Sequence, residues 1–182
     1  MRKTELRKLL IKTRQLMPVH EWKQKSDRIC QNLLNSPEFN QAKTTLAYFS
    51  FRQEPDLSPL FNTSHRWGFP RCVGKSLSWH IWTYQDTVIT GAYGISEPDS
   101  QAPIISSAEV DLILVPCVAC DSQGYRLGYG GGYYDRMLSS PEWINKPTIG
   151  IVFEFAYLPE IPIDTWDKPL RGVCTEKALV YQ

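Results

Sequence analysis

The most strand-like segment of the chain runs from Val110 to Val118 and reads VDLILVPCV. It is nearly all apolar, which is typical of a central strand in a sheet that is covered on both faces. Pro116 is expected to mark the point where this strand leaves the sheet, because proline cannot donate a ladder hydrogen bond. A chain that buries such a strand needs helices on both sides of one sheet.

The remaining segments alternate between helical and strand periodicity. Leucines at helical spacing (Leu6, Leu9 and Leu10) predict a first helix that ends at Pro18, and a second helix is predicted from about His20 to about Leu34. Short helices are predicted at 57–61 and 133–138, strands at 44–50, 67–72, 77–84, 147–153 and within 172–181, and loops over 85–109. The pattern predicts an α/β protein of one domain, residues 1–182, with three α/β/α layers and a largely parallel central sheet.

The net charge and the cysteine content limit which partners the protein can bind and which cellular compartment it can occupy. The 20 Lys and Arg residues against 19 Asp and Glu residues leave a net charge of +1. This balance argues against a protein held to nucleic acid by its whole surface, and the lack of an apolar stretch of about 18 residues argues against a membrane protein. Five irregularly spaced cysteines do not form a disulfide framework, so we expect a reduced, cytoplasmic protein.

The chemistry-bearing residues concentrate in RLGYGGGYYDR, residues 126–136. Four glycines in five positions let backbone N–H groups approach an anion, and a helix that starts just after them favours negative charge there. Arg126 and Arg136 add positive charge, and the Asp135 carboxylate is a ligand type that suits Mg²⁺. The segment matches neither a P-loop nor a dinucleotide fingerprint, and glycines alone are equally compatible with a flexible surface loop.

Three basic residues of the first helix, Lys3, Arg7 and Arg14, share one stripe. At about 100° per residue they fall within about 40° of one another. Lys3 and Arg7 lie one helical turn apart and can reach one anion together. A solvated helix face would explain the same pair without any ligand.

The run RLGYGGGYYDR resembles the signature of the 5-formyltetrahydrofolate cyclo-ligase family. Further segments resemble that family in the same order along nearly the whole chain. They are Lys3-Thr-Glu-Leu-Arg7, Tyr48-Phe-Ser-Phe-Arg-Gln-Glu54, Gly68-Phe-Pro-Arg71, Asp111-Leu-Ile-Leu-Val-Pro116, and Asp167 with the later Thr175-Glu176. The glycine signature is highly specific to the family. Each of the other segments is weak evidence alone, but together, in the same order as in the family, they are strong evidence for the resemblance.

The resemblance implies roles for individual residues of this chain. It places ATP against Lys3, Arg7, Arg126, Leu127, Gly128, Tyr129, Gly130, Gly131, Gly132, Tyr133 and Tyr134. It places the folate substrate against Phe49, Glu54, Tyr129, Gly130, Gly131, Gly132 and Tyr133, with Tyr93 as a speculative further wall. Arg126 and Asp135 are the implied catalytic residues, and Phe49 is also compatible with plain core packing.

The resemblance also implies a cofactor and a reaction. Mg²⁺ would be held by Asp135 and Asp167, although the nearby Asp164 is an open alternative to Asp167. The implied activity is ATP-dependent closure of 5-formyltetrahydrofolate to 5,10-methenyltetrahydrofolate. We expect the protein to act as a monomer. Phosphorylation of the formyl oxygen precedes attack by N10, and no covalent nucleophile of the protein is needed.

Two other functions are compatible with parts of the sequence. One is a non-catalytic nucleotide- or phosphosugar-binding protein on a similar sheet. The other is a redox protein that uses Cys117 and Cys120, which have CxxC spacing. We interpret these two cysteines as structural, because no second pair accompanies them and the segment leads into a loop rather than a helix.

Overall fold

The computed structural model of the chain describes residues 1–182. Its α-helices are α1 (Lys3–Gln15), α2 (Val19–Leu34), α3 (Pro37–Gln41) and α4 (Tyr133–Ser139). Its strands are β1 (Thr44–Leu46), β2 (Arg66–Val73), β3 (Ser76–Ile81), β4 (Ile89–Thr90), β5 (Ser96–Glu97), β6 (Leu112–Pro116), β7 (Ala119–Asp121), β8 (Arg126–Leu127), β9 (Thr148–Ile151), β10 (Tyr157–Leu158), β11 (Gly172–Cys174) and β12 (Leu179–Tyr181). Short 3-10 helices occur at Ser58–Leu60, Ala92–Gly94, Ser107–Glu109 and Glu154–Ala156.

A seven-stranded sheet in the order β12-β11-β9-β6-β1-β2-β3 forms the centre of the fold. The five inner strands pair in parallel, and the two edge strands β3 and β12 pair antiparallel to their neighbours. The prediction of a largely parallel central sheet is therefore confirmed. Strand β6 lies in the middle and ends at Pro116, as its apolar sequence predicted.

The two faces of β6 pack into two separate hydrophobic clusters. Ile113 and Val115 face a cluster that includes buried side chains of α1 and α4. Leu112 and Leu114 face a second cluster that includes buried side chains of α2 and α3. Because side chains alternate across a strand, this arrangement places helices on both faces and gives the predicted three layers.

Helix α1 departs from its predicted apolar stripe at one position. Leu6 and Leu10 are buried as expected, but Leu9 is 50% exposed. The stripe next to the sheet instead includes Arg14, of which only 3% is exposed. The leucine pattern was therefore wrong for Leu9, and part of the basic stripe faces the protein interior.

Several segments differ from the strand and loop predictions; the strand predicted at 147–153, for example, spans only Thr148–Ile151. Strand β1 stops at Leu46 rather than at residue 50, because the following residues leave the sheet for a turn in which Arg52 and Gln53 have φ values of 51° and 57°. Strand β3 ends at Ile81, earlier than the predicted residue 84. The predicted loop region 85–109 contains the β4–β5 hairpin, and 172–181 contains two antiparallel strands rather than one.

The direction in which the chain adds strands to the sheet reverses between the parallel strands β1 and β6. From β1 the chain continues to β2 on one side, whereas from β6 it continues to β9 and β11 on the other. In open α/β sheets, ligands bind beyond the carboxyl ends of the strands at such a switch point. The residues that follow β1 and the end of β6 at Pro116 both line the cleft described below.

Candidate active site

A cleft of about 340 Å³ lies at this switch point. It is large enough for part of a small-molecule ligand and combines apolar walls with a few charged groups. Its lining includes residues after β1, residues of the β4–β5 hairpin and most of the glycine-rich segment. The full set is Arg7, Tyr48, Phe49, Phe51, Arg52, Glu54, Pro70, Cys72, Leu77, Tyr93, Ile95, Ser96, Glu97, Pro116, Arg126, Gly128, Tyr129, Gly130, Gly131, Gly132, Tyr133, Tyr134 and Asp135.

The glycine-rich loop, residues 128–132, connects β8 to α4. Strand β8 belongs to a small separate sheet, β10-β7-β8, so the loop does not follow the central strand β6 directly. Gly130 and Gly132 have φ values of 101° and 75°, in a region that side chains with a Cβ rarely adopt. A Cβ at position 132 would also lie 2.5 Å from Nη1 of Arg136. The loop conformation therefore favours glycine at position 132, where any other residue would be strained.

Arg7 of α1 lies directly against this loop. Its Nε donates a hydrogen bond of 2.6 Å to the carbonyl oxygen of Gly128. The guanidinium carbon would be 3.5 Å from a Cβ at Gly130, which is an ordinary van der Waals contact. The structure thus brings together Arg7 and the glycine-rich loop, as the resemblance implied.

Arg126 forms the floor of the cleft. Its side chain is 8% exposed, its Nε donates to the Pro116 carbonyl at 3.0 Å, and its Nη1 lies 3.4 Å from the Asp135 carboxylate. The guanidinium carbon also lies 5.0 Å from the centre of the Tyr134 ring, a cation–π distance. These contacts fix a positive charge beside the loop, where an anionic ligand would meet it.

Lys3 occupies a different position from the other predicted ATP-binding residues. Its ammonium donates hydrogen bonds of 2.6 Å to Asp164 and 2.7 Å to Asp167, and it does not line the cleft. Leu127 does not line it either, because its side chain is buried in the core. Burial opposes ionisation of Asp167, but the hydrogen bonds from Lys3 and the Asp164 amide outweigh it and lower the pKa of that carboxyl.

The two predicted metal ligands have different partners. Asp135 lines the cleft with a side chain that is 56% exposed, whereas Asp167 pairs with Lys3 outside it. No cluster of three or more His, Cys, Asp or Glu side chains is arranged to hold a metal. Mg²⁺ typically binds through one or two carboxylates together with substrate phosphates, and both the Asp135 carboxylate and the Asp164–Asp167 pair, which already holds an ammonium, fit that donor chemistry.

Glu54 is a buried carboxylate at the opposite wall of the cleft. It is 4% exposed, and its Oε1 accepts a hydrogen bond of 3.0 Å from the Phe51 amide across the left-handed turn. Burial raises the pKa of Glu54 to about 7, while the charge of Arg14 and the Phe51 amide partly offset that effect. The carboxyl therefore titrates near neutral pH, which is unusual for a glutamate and frequent at functional sites.

Phe49 both packs in an aromatic cluster and faces the cleft. Its ring stacks on Phe69 at a centroid distance of 4.2 Å and an interplanar angle of 11°. Trp82 meets it edge-on at 5.0 Å. The two interpretations of Phe49, core packing and substrate contact, are therefore both compatible with its position.

Tyr93 and Tyr133 form the outer wall of the cleft. Their hydroxyl oxygens lie 3.2 Å apart, and their rings meet edge-on at a centroid distance of 6.2 Å. Tyr93 sits between β4 and β5 with a φ of 64° and is 68% exposed. Tyr93, a speculative wall of the folate pocket in the sequence prediction, lines the cleft, and its contact with folate stays a prediction.

The CxxC pair lies away from solvent. Cys117 and Cys120 are 2% and 0% exposed, and all five cysteines of the chain are free thiols. A redox motif needs at least one accessible thiol, so the burial of both argues against the redox alternative. None of the helices is long and apolar enough to cross a membrane.

Several cleft residues were not singled out from the sequence. They include Tyr48 and Arg52, which lie in the Tyr48–Glu54 segment but were given no role, and Cys72 and Glu97, which come from two other segments. Arg14 was noticed only as a member of the basic stripe of the first helix, and its burial behind the cleft could not be read from that pattern. The stripe nevertheless was the signal that connected Arg14 to Arg7.

Comparison with known proteins identifies the family. A sequence profile of the 5-formyltetrahydrofolate cyclo-ligase family matches residues 1–176. A 5-formyltetrahydrofolate cyclo-ligase of Haemophilus influenzae is 31% identical over 183 residues, covering 94% of each chain. The structure of an Aquifex aeolicus 5,10-methenyltetrahydrofolate synthetase superposes with a TM-score of 0.88 at 33% identity, over 100% of this chain and 93% of the other.

A second solved structure supports the fold alone. The 5,10-methenyltetrahydrofolate synthetase of Mycoplasma pneumoniae has a TM-score of 0.76 at 22% identity and covers 97% of this chain and 99% of its own. The profile match spans most of the chain, including the glycine-rich loop and the buried Glu54 that face each other across the cleft. The chain therefore belongs to the 5-formyltetrahydrofolate cyclo-ligase family.

Proposed function

We propose that this protein catalyses the ATP- and Mg²⁺-dependent closure of 5-formyltetrahydrofolate to 5,10-methenyltetrahydrofolate, with release of ADP and phosphate. The observation that carries the proposal is the single cleft in which the glycine-rich loop faces an aromatic wall with a buried carboxylate. Family membership supports it, because the relatives with solved structures are named for the same product. We further propose that residues 1–182 act as one domain and as a monomer.

ATP would occupy the end of the cleft formed by the glycine-rich loop. Residues 128–132 and the side chains of Arg7 and Arg126 line this end, and their backbone N–H and guanidinium groups would be the donors. Such fixed donors neutralise phosphate charge without having to reorganise when the ligand binds. Lys3 would contact the triphosphate by moving its ammonium from Asp164 and Asp167 toward the loop, and Tyr133 and Tyr134 would border the nucleotide.

The folate would occupy the opposite end, against Phe49 and Glu54. An ionised Glu54 accepts hydrogen bonds from the N–H groups of the pterin ring, and the Phe49 ring packs against its face. Tyr129 and Tyr133 border both ligands, and Tyr93 closes the outer side. The formyl group would then point along the cleft toward the loop.

The proposed reaction proceeds in two displacements. The formyl oxygen attacks the γ-phosphorus and ADP leaves, which converts that oxygen into a phosphate leaving group. N10 then attacks the formyl carbon, loses its proton, and expels phosphate with the original oxygen as the five-membered ring closes. Arg126 and Arg7 stabilise the charge on the transferred phosphoryl group, and the cleft holds the reacting atoms in line.

Asp135, with Asp167 or Asp164 as a second ligand, would hold Mg²⁺ when it is bound. The ion would supply positive charge to the phosphate oxygens. Asp135 is also positioned to orient Arg126 through their contact of 3.4 Å. Removal of the Asp135 carboxylate would therefore affect both the binding of Mg²⁺ and the orientation of Arg126.

The test is the growth of the methenyltetrahydrofolate absorbance band after mixing the protein with 5-formyltetrahydrofolate and MgATP. We expect growth with the wild type, loss with Asp135→Ala, and no change with Asp27→Ala, which removes an exposed carboxylate on α2. If the folded wild type binds ATP without forming the band, the cyclo-ligase proposal is wrong and a non-catalytic nucleotide-binding protein is favoured.

A further inference from the structure

Arg14 is a buried cation behind the cleft that contacts residues of two of its walls. It is 3% exposed, and none of the ion pairs in the structure involves it. Its Nε donates to the Arg52 carbonyl at 2.9 Å, and its Nη2 donates to the Tyr129 hydroxyl. Burying a charge without an ion pair is costly, so these two contacts must offset a substantial penalty.

The two contacts of Arg14 lead to opposite sides of the cleft. Tyr129 belongs to the glycine-rich loop, and its ring centre lies 5.7 Å from the Arg14 guanidinium carbon. Arg52 belongs to the left-handed turn that ends at Glu54. The same turn is anchored to α1 a second time, because Gln53 Nε2 donates to the carbonyl oxygens of Arg14 at 2.7 Å and of Met17 at 3.1 Å.

We propose that Arg14 is a positioning residue that sets the separation between the glycine-rich loop and the Glu54 turn. The proposal rests on the proposed function, in which ATP binds the loop and the folate binds Glu54. A guanidinium can contact both walls at once because its N–H groups point in several fixed directions, whereas a lysine ammonium on a flexible stem lacks that fork. The separation of the walls then determines whether the formyl oxygen and the γ-phosphorus meet in line.

This role predicts a specific kinetic signature. Small errors in alignment reduce the rate of a step between two bound reactants more than they reduce the binding of either one. Substitution of Arg14 should therefore lower kcat more than it raises the KM for ATP or for 5-formyltetrahydrofolate. A residue that only stabilised the fold would lower the melting temperature and the active fraction instead.

Arg14 also acts on Glu54 through its charge. The groups that face Glu54 are Arg14 on α1, Arg126 on β8, and the hydroxyls of Tyr48, Tyr129 and Tyr134, with the Phe51 amide donating to it. The two arginines oppose the effect of burial on the pKa of Glu54. Removing the charge of Arg14 should therefore raise that pKa further above about 7, and a lysine at the same position should largely preserve it.

The test compares Arg14→Lys, Arg14→Gln, Tyr129→Phe and the Arg14→Gln/Tyr129→Phe double variant with wild type. Lys12→Gln is the matched control, because it removes an exposed cation from the same helix. We expect kcat to fall about tenfold or more in Arg14→Lys and Arg14→Gln, with KM changed less than about threefold. The fold-decrease in kcat of the double variant should be smaller than the product of the two single decreases, because both single substitutions remove the same Arg14–Tyr129 hydrogen bond.

A second readout does not depend on turnover. The pKa of Glu54, followed by carboxyl ¹³C NMR of the free protein, should rise by about one unit in Arg14→Gln and stay near its wild-type value in Arg14→Lys and Lys12→Gln. An unchanged Glu54 pKa in Arg14→Gln, or multiplicative kinetic losses that track the melting temperature, would overturn the role of Arg14. Absence of product with the wild type would instead refute the proposed function, and the NMR titration would still decide whether Arg14 acts on Glu54.

Discussion

The ammonium of Lys3 lies 2.7 Å from a carboxylate oxygen of Asp167, which joins the first turn of α1 to the segment before β11. The same ammonium lies 2.6 Å from Asp164, so one cation is shared by two acids that are both candidates for the metal site. Asp167 is the more buried of the two, with its side chain 11% exposed against 42% for Asp164. Because of this difference in exposure, we expect Asp167 rather than Asp164 to be the more important of the two acids for activity.

Asp167→Asn should lower kcat/KM about 10- to 100-fold, because it removes a charged hydrogen-bond acceptor from a largely enclosed position. Asp164→Asn should change kcat/KM much less, because its side chain is more exposed and competes with water. Steady-state kinetics at several Mg²⁺ concentrations would measure both. The reverse order of effects would show that Asp164 is the second ligand.

The paired carboxylate also predicts a loss of stability in acid. The pKa of Asp167 is lower in the folded protein than its ordinary value of 3.8. The ionised carboxylate therefore contributes its full stabilisation of the fold above about pH 3.8, and this stabilisation is lost as the pH falls through the folded pKa. The melting temperature of wild type should therefore drop below about pH 4 more steeply than that of Lys3→Met. Identical acid limbs in the two proteins would contradict this expectation.

The raised pKa of Glu54 predicts that its effect on folding stability has the opposite dependence on pH. Its folded pKa of about 7 lies above the ordinary value of 4.5, so the folded state holds a proton that the unfolded state has released. Stability should then decrease as the pH rises from about 4.5 through 7. Glu54→Gln should remove this decrease and be more stable than wild type at pH 8 by up to about 3 kcal/mol.

The same titration should appear in folate binding, provided that Glu54 holds the pterin as a carboxylate. The KM for 5-formyltetrahydrofolate should fall as the pH rises through about 7 in the wild type. Glu54→Gln should have a higher KM with little pH dependence over that range, because its amide cannot ionise. A wild-type KM that is constant from pH 6 to pH 8 would argue against an ionised Glu54 in the complex.

Gly132→Ala should impair both stability and turnover. A Cβ at this position would meet Arg136 Nη1 at 2.5 Å, and the φ of 75° is strained for alanine. The backbone strain of an alanine at this φ alone should lower the free energy of unfolding by about 1–2 kcal/mol, which corresponds to a melting temperature lower by a few degrees. Gly74→Ala is the control, since it has a φ of 61° with no atom within 4 Å and should lose stability without losing kcat.

The burial of four cysteines predicts their reactivity. Burial raises the pKa of Cys30 and Cys174 to about 12, and Cys117 and Cys120 are enclosed by the core. A thiol reagent should therefore modify only Cys72 in the native protein, and all five cysteines after unfolding. Rapid labelling of the native Cys72→Ser variant would instead restore the CxxC redox hypothesis.

The class of fold was determined by local sequence features. The apolar run around β6 required a sheet covered on both faces, and leucines at helical spacing predicted α1, which ends at Gln15, three residues before the Pro18 that was expected to end it. The glycine-rich loop was evident from composition, because glycine adopts the positive φ values found at residues 130 and 132 without the strain that a Cβ causes. These features depend on neighbours in the chain and are therefore readable from the sequence.

The arrangement of the site was decided by tertiary packing. Arg7 meets Gly128, Arg14 meets Tyr129 and Lys3 meets Asp164 across 121, 115 and 161 residues of chain. No local periodicity encodes such contacts, and the burial that shifts the pKa of Glu54 arises only when the turn after β1 packs between α1 and the loop. The sequence by itself determined which residue types and backbone angles were available, whereas the free energy of packing distant segments decided which charges are buried, paired or free to meet a substrate.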